Sequence, residues 1–356
     1  MRIVQLIDSL ETGGAERMAV NYANALYSKI EFSGLVATRN EGTLKEQLDP
    51  KVSYLFLNKK KTIDLKAIRK FYNYCKQNKI EYIHAHTSSF FYAILIKAIL
   101  PKIKIIWHDN NGDNTFPNKK MTSILKIFKN NFATIIAANY ELENWSKNVI
   151  QHHNVVYLPN FGRQSSKDVQ NTVLKSFLGK QILCLANLRP QKNHLMLLKV
   201  AEEIISKFPD WSFHLVGKDF NDDYSKELKE EIKKKKLEKH VFIYGSKNDT
   251  DYIISQADIC ILTSNSEGLP VALIEYGMYK KPVVCTNVGG IPNVIENSKN
   301  GFLTNTNDTQ KFVENLILLI EDPVLRNTMG NNLYQTVYEG YSEKKVIEKY
   351  IALLQN

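Results

Sequence analysis

Twice along the chain, short runs rich in β-branched and aromatic residues alternate with segments whose apolar residues recur at helical spacing. Strands separated by helices pair in parallel and need cover on both faces, so the pattern predicts an α/β fold with parallel sheets. In the first series the strand candidates are RIVQLI, SGLVAT, VSYLFL, YIHA, KIIWH, TIIAA and VVYL, with helices expected at 15–28 and 63–79. The series ends at Leu158-Pro159-Asn160-Phe161-Gly162, a turn-rich break followed by a polar stretch. A second series runs through QILCLA, SFHLVG, VFIYG, DICILT, PVVCT and GFLT, and the chain closes in helices expected near 308–320, 322–338 and 342–354. No repeat of solenoid length interrupts this order.

At 356 residues the chain is too long for one hydrophobic core and suits two. Its four cysteines lack metal-ligand spacing, and Cys184, Cys260 and Cys285 lie in apolar runs, as buried thiols of a reducing compartment do. The start, MRIVQLIDSLETGGAER, lacks the regions of a signal peptide. The apolar run at 90–100 is far short of the roughly 20 residues of a spanning helix. A cytoplasmic location is expected. The net charge of +10 is concentrated in the first half, where residues 51–130 hold 16 basic and four acidic residues (Asp64, Glu81, Asp109, Asp113). Such a region seeks an anionic partner, an acidic membrane face or nucleic acid. The amphipathic stretch at 119–132, with Met121, Ile124, Leu125 and Phe128, favours the membrane face.

The segment most informative about chemistry is Ser264-Asn265-Ser266-Glu267-Gly268-Leu269-Pro270, which leaves the strand DICILT and enters a helix carrying Glu275. Pro270 suits the first helical turn, and the positive end of such a helix receives phosphate. One carboxylate then faces a sugar at the helix mouth and the other a more distant hydroxyl pair such as a ribose. Arg189 and Lys192 follow the strand QILCLA and can both reach a pyrophosphate, where charge-assisted contacts contribute about 1.5–3 kcal/mol each. Gly13 and Gly14 follow the first strand and precede a helix, which permits close approach of a diphosphate. Two glycines at that point also have a purely structural reading.

Glu267 and Glu275 in an EG-x-P-x-x-x-x-E frame resemble the hallmark of the retaining glycosyltransferases of family 4, whose fold is GT-B. Gly13-Gly14-Ala15-Glu16-Arg17, Asn187-Leu188-Arg189-Pro190-Gln191-Lys192-Asn193, Val216-Gly217, Tyr244-Gly245 and Asn287-Val288-Gly289-Gly290 match in the same order along nearly the whole chain. The resemblance implies two Rossmann-like domains across a cleft. The first, at 1–160, lies on the acceptor side; the second, at 161–338, binds the nucleotide-sugar; a helix at 339–356 returns to the first. It further implies a donor pyrophosphate on Arg189, Lys192 and the amides at Leu269 and Pro270, a ribose on Glu275, and the sugar on Glu267 and His108. The base is expected near Tyr244, Gly245 and Ser246, with Gly217 and Gly268 close by. Asp109 either shares the role of His108 or caps the next turn; His84 and His86 line the acceptor cleft or, more simply, pack in the core.

Asp249-Thr250-Asp251 matches a metal-holding D-x-D pattern, but it stands where Asp caps a helix, so no metal is assigned and no cofactor beyond the donor is expected. The family pattern is broken at Tyr276-Gly277-Met278-Tyr279, at Lys280 and at Asn293. The expected activity is transfer of a sugar from a UDP-sugar to a lipid-linked glycan in capsule, exopolysaccharide or lipopolysaccharide synthesis. Rival readings are a nucleotide-sugar epimerase of the same fold, a dinucleotide oxidoreductase, which lacks its G-x-G-x-x-G here, and a nucleic-acid-binding protein, which lacks stacking motifs.

Overall fold

A computed structural model describes residues 1–110, 119–163, 170–176 and 178–355. Asp113 and the polar stretch after the first series, at 164–169, lie outside the described residues. The chain forms two compact units, Met1–Phe161 with Glu343–Asn356, and Gly162–Ser342.

In the first unit the order is β1 (Arg2–Ser9), α1 (Gly14–Leu26), β2 (Phe32–Asn40), β3 (Ser53–Phe56), α2 (Leu65–Gln77) and β4 (Tyr82–His86). It continues with α3 (Phe90–Ile99), β5 (Lys104–Asp109), α4 (Lys119–Phe128), β6 (Phe132–Ala137), α5 (Tyr140–Trp145) and β7 (Val155–Tyr157). The strands form one parallel sheet in the order β3-β2-β1-β4-β5-β6-β7. Ile3, Val4, Leu6 and Ile7 of β1 are all buried, because helices cover both faces and leave no solvent side for polar residues to alternate onto. Helix α2 begins at Asp64, whose side chain accepts from the amides of Lys66 and Ala67, a cap that contributes about 1 kcal/mol. It buries Ala67, Phe71, Tyr74 and Cys75, one face of a 3.6-residue period.

The second unit runs β8 (Gln181–Leu185), α6 (His194–Lys207), β9 (Ser212–Val216), α7 (Asp223–Lys234), β10 (Val241–Gly245) and α8 (Thr250–Gln256). Then follow β11 (Ile259–Leu262), α9 (Val271–Met278), β12 (Val283–Thr286), β13 (Phe302–Thr304), α10 (Thr309–Glu321) and α11 (Pro323–Gly340). Its parallel sheet has the order β10-β9-β8-β11-β12-β13. In both sheets the order reverses beside the first strand, between β1 and β4 and between β8 and β11. At such a reversal successive loops diverge to opposite faces and leave a crevice at the carboxyl ends of the strands.

The last helix, α12 (Glu343–Gln355), belongs to the first unit. It buries Val346, Ile347 and Tyr350; the Tyr350 hydroxyl lies 3.1 Å from His84 Nδ1, and Tyr82 donates to the Leu354 carbonyl at 3.1 Å. Among the described residues no helix is long and apolar enough to cross a membrane.

Two expectations change here. The apolar side of α4 is not offered to a bilayer: Leu125 is 1% exposed, and Met121, Ile124 and Phe128 pack on the core of the first unit. A helix covering a parallel sheet turns its apolar stripe inward, and only Ile127 stands out on the other side. The second concerns His108. Side chains alternate along β5, so Trp107 packs with Phe90 and Phe132 while His108 faces the other way, among Tyr22, His84 and His86. Its ring is 0% exposed, and a sugar hydroxyl reaches it only if the rings covering it move.

Candidate functional site

The crevice between β8 and β11 is built from two loops. The first, at 186–193, leaves β8 and turns at Pro190–Lys192 into α6; Asn193, at φ 52°, caps that helix by accepting from the Met196 amide. The second, at 263–270, leaves β11 and enters α9. Hydrogen bonds tie the two together: Thr263 donates to the Lys192 carbonyl at 3.0 Å, the Asn265 amide to the Gln191 carbonyl at 2.8 Å, and Asn193 Nδ2 to Asn265 Oδ1 at 3.0 Å. The result is a rigid mount for Lys192 and Glu267. Lys192 Nζ lies 2.6 and 2.7 Å from the two carboxylate oxygens of Glu267, and Ser264 donates to Oε1 at 2.6 Å. Glu267 is 6% exposed at its side chain and Lys192 23%, so the cation faces outward and the carboxylate lies behind it.

Gly289 and Gly290 form the floor. A Cβ on Gly289, which has φ 53°, falls 1.7 Å from the Glu267 carbonyl oxygen, and one on Gly290 falls 2.4 Å from that of Gly268. The Gly290 amide donates to that Gly268 oxygen at 2.5 Å. Only glycine permits this backbone-to-backbone approach, which fixes the Glu267-Gly268 segment. Gly217 acts similarly at the end of β9, where a Cβ meets the Ala186 carbonyl at 2.2 Å. Pro270 is the N-cap of α9 rather than its first helical residue, with ψ 121°. Proline has no N–H, so the amide expected from Pro270 is corrected to those of Val271 and Ala272, which a helix start leaves without intrahelical acceptors. Glu275 sits on α9 and is 5% exposed.

The sequence profile described as Glycosyl transferases group 1 matches residues 168–336, and the one described as Glycosyltransferase Family 4 matches residues 12–161. The chain belongs to glycosyltransferase family 4. This glycosyltransferase is 26% identical, over 99% of its own chain and 97% of the relative, to the UDP-Gal:alpha-D-GlcNAc-diphosphoundecaprenol alpha-1,3-galactosyltransferase of Escherichia coli. It is 24% identical over 99% of both chains to an amylovoran biosynthesis glycosyltransferase of Erwinia amylovora. Its GT-B fold matches Anabaena HepE, crystallised with UDP and glucose, at a TM-score of 0.83, 18% identity and full coverage of both chains. Staphylococcus aureus TarM, in a complex containing UDP, matches at 0.81 and 15% identity, again over both whole chains.

Within the glycosyltransferase, the residues singled out by sequence fall into three groups. Lys192, Glu267, Gly268, Leu269, Pro270 and the glycines at 289–290 converge at the β8–β11 crevice. Arg189 starts the same turn but its guanidinium lies 4.5 Å above the ring of Phe220, a residue that sequence reading missed; the aromatic in Lys218-Asp219-Phe220, just past β9, was its signal. Tyr244 and Ser246 sit at the end of β10, with Gly245 at φ 68° between them. The Tyr244 hydroxyl is already engaged, accepting from the Lys175 amide at 2.8 Å and lying 3.0 Å from His214 Nδ1.

The third group belongs to the first unit. Gly13 caps α1 and Gly14 is exposed with open space around it, but the Glu16 carboxylate folds back to 2.2 Å from where a Cβ on Gly13 lies. His84, His86 and His108 are all buried and offer ring nitrogens within 4.8 Å of one another. His86 Nε2 lies 2.9 Å from Gln5 Oε1, whereas neither ring nitrogen of His108 has a partner among the described residues. Burial pushes the His108 pKa down to about 3 and, with the charges of its neighbours, those of His84 and His86 well below the usual value. These imidazoles are neutral at pH 7. Asp249 also departs from expectation: it stands at the N-cap of α8 but caps nothing, and its carboxylate instead accepts from the amides of Asn171 and Thr172 and from the Thr172 hydroxyl.

Proposed function

We propose that the enzyme moves a sugar, with retention of configuration, from a UDP-sugar to a lipid-linked glycan during assembly of a bacterial surface polysaccharide of the capsule, exopolysaccharide or lipopolysaccharide class. The observation that carries this reading is the Lys192–Glu267 pair at the switch point of the second sheet, beside the N-terminus of α9. Lys192 is held by a single carboxylate and faces outward, so a donor diphosphate replaces Glu267 as its partner and frees that carboxylate for a sugar hydroxyl. Arg189, one turn away, meets the second phosphate, and the amides opening α9 add the positive end of the helix. Charge builds on the diphosphate as the glycosidic bond breaks, and these groups stabilise it without reorganising. Glu275, about one turn into α9, receives the ribose.

The acceptor hydroxyl attacks the face the diphosphate leaves and passes its proton to the departing phosphate oxygen, so configuration is kept without a protein nucleophile. The charge a divalent ion would neutralise falls to Arg189 and Lys192, and the reaction proceeds without metal. The names of relatives support the substrate classes: the Escherichia coli relative is named for UDP-Gal and a diphosphoundecaprenol acceptor, and HepE holds UDP with glucose. The basic surface of the first unit supplies contact with anionic lipid through charge alone, since the apolar side of α4 is turned inward.

The test is thermal stability with UDP, GDP, ADP, their sugar conjugates and NAD, without metal and with EDTA. A ligand at 100 times its Kd adds about 2.7 kcal/mol. Stabilisation by uridine nucleotides that is lost in Glu275→Ala is expected; stabilisation by NAD alone overturns the reading. An NMR spectrum of the product showing inverted anomeric configuration overturns the retaining step.

A further inference from the structure

The first sheet has its own switch point, between β1 and β4, and polar groups from four strands gather at its carboxyl end. Asp8, at the end of β1, is the hub. Its Oδ1 accepts from the Thr38 hydroxyl at 2.5 Å and lies 3.3 Å from Lys59 Nζ and 3.7 Å from Arg39 Nε; its Oδ2 accepts from the Ser88 hydroxyl at 2.7 Å. Thr38 and Arg39 end β2, Lys59 follows β3, and Ser88 follows β4. The Asp8–Ser88 bond thus spans the crevice itself. Lys59 is 5% exposed at its side chain, with its ammonium also 4.7 Å from the centre of the Tyr92 ring, so it is a fixed, desolvated charge.

Positive charge exceeds negative here. Asp8 faces both Lys59 and Arg39, and the next two residues, Lys60 and Lys61, are exposed with no ion-pair partner among the described residues. The acids nearest in sequence are otherwise engaged: Glu41 pairs with Lys45, and Asp64 accepts from the amides of Lys60, Lys66 and Ala67. The backbone turns left-handed on both sides of the cluster. Thr87, between β4 and Ser88, has φ 49°, and Asn58, just before Lys59, has φ 52°. A β-branched residue rarely adopts that conformation, and strain of this kind collects where a site needs a side chain held in place. Thr87 thereby presents Ser88 to Asp8, and the left-handed Asn58, a conformation asparagine tolerates, precedes Lys59.

We propose that this carboxyl-end cluster is a second anion subsite, in which Arg39, paired with Asp8 beside Lys59, and the exposed Lys60 and Lys61 that follow Lys59 in the chain hold a phosphate or diphosphate group of the acceptor. Arg39 forms an ion pair with Asp8 at 3.7 Å, longer than a hydrogen bond, and its half-exposed guanidinium fork can turn two N–H groups to phosphate oxygens. The proposal rests on the reading that the first unit takes the acceptor.

Isothermal titration of the full chain with inorganic pyrophosphate, with UDP saturating the donor site, tests it against the variant Arg39→Gln/Lys61→Gln. Both changes are on exposed side chains and spare the fold. Pyrophosphate affinity is expected to fall about fivefold or more in the variant while UDP affinity is unchanged. No pyrophosphate binding to the unmodified chain under saturating UDP, or equal affinity in the two proteins, overturns the subsite. Failure of UDP to bind either protein reads separately, on the donor site. Vesicles of phosphatidylglycerol distinguish the sources: loss of vesicle binding in the variant with pyrophosphate affinity unchanged makes the surface a bilayer contact and overturns the proposal.

Discussion

Lys192 and Glu267 come from loops 75 residues apart in sequence, yet the ammonium meets both carboxylate oxygens within 2.7 Å. Because Glu267 is the more buried partner, removing the cation strands its charge. Lys192→Ala is expected to destabilise the protein by about 3 kcal/mol in urea denaturation and to abolish stabilisation by UDP. Glu267→Gln, which leaves Lys192 able to reach solvent, is expected to cost less than Lys192→Ala while still lowering transfer activity.

Gly289 lies under the same pair. Its φ of 53° and the 1.7 Å approach of the Glu267 carbonyl leave no room for a methyl group. Gly289→Ala is expected to destabilise by at least about 2 kcal/mol and to weaken UDP binding, because the Glu267-Gly268 backbone has to shift. Denaturation and UDP titration on the same sample check both effects.

Arg189 rests on Phe220, a contact that holds the guanidinium above the ring. Phe220→Ala frees the arginine, and a cation–π contact of about 0.5–1 kcal/mol converts to a two- to fivefold loss in nucleotide affinity. Phe220→Tyr, which keeps a ring under the guanidinium, is expected to retain it.

The buried histidines set an acid limit. His84, His86 and His108 have folded pKa values below that of the unfolded chain, chiefly through burial, with His108 at about 3. Stability from groups shifted this way is complete above about pH 6.5 and is lost as pH falls, since the unfolded chain takes up protons that the folded one refuses. Each contributes a slope of about 1 kcal/mol per pH unit below 6.5. The melting temperature is expected to drop steeply between pH 6.5 and 5, and more shallowly in His108→Asn, as calorimetry across that range shows directly.

The thirteen strands of the described residues were all legible in the sequence, because a parallel strand covered on both faces is a largely apolar run, and such runs stand out between helical segments. The helices at 65–77 and at the C-terminal end were visible for the complementary reason, their 3.6-residue apolar period. That Lys192 and Glu267-Gly268-Leu269-Pro270 meet at one crevice was legible too, because each follows a strand end and the pattern is local in sequence.

What a side chain meets across the fold was not legible. Met121, Ile124, Leu125 and Phe128 make the same amphipathic stripe whether it covers a sheet or a membrane, and only packing shows that it covers the sheet. Asp249 sits where a cap belongs, but the Asn171-Thr172 segment brings it three donors and takes it from the helix. His108 and Trp107 are consecutive, so strand alternation guarantees that they face opposite ways, yet nothing local says that His108 faces Tyr22 and two other histidines. Lys59 and Lys60 are adjacent in a basic run, yet one is buried against Asp8 and the other exposed. By itself the sequence determined the elements, their order and the residue types at the strand ends, since these follow from period, propensity and local spacing. Only the tertiary structure decided which charges are paired and which side chains are buried, because both depend on contacts between segments far apart in the chain.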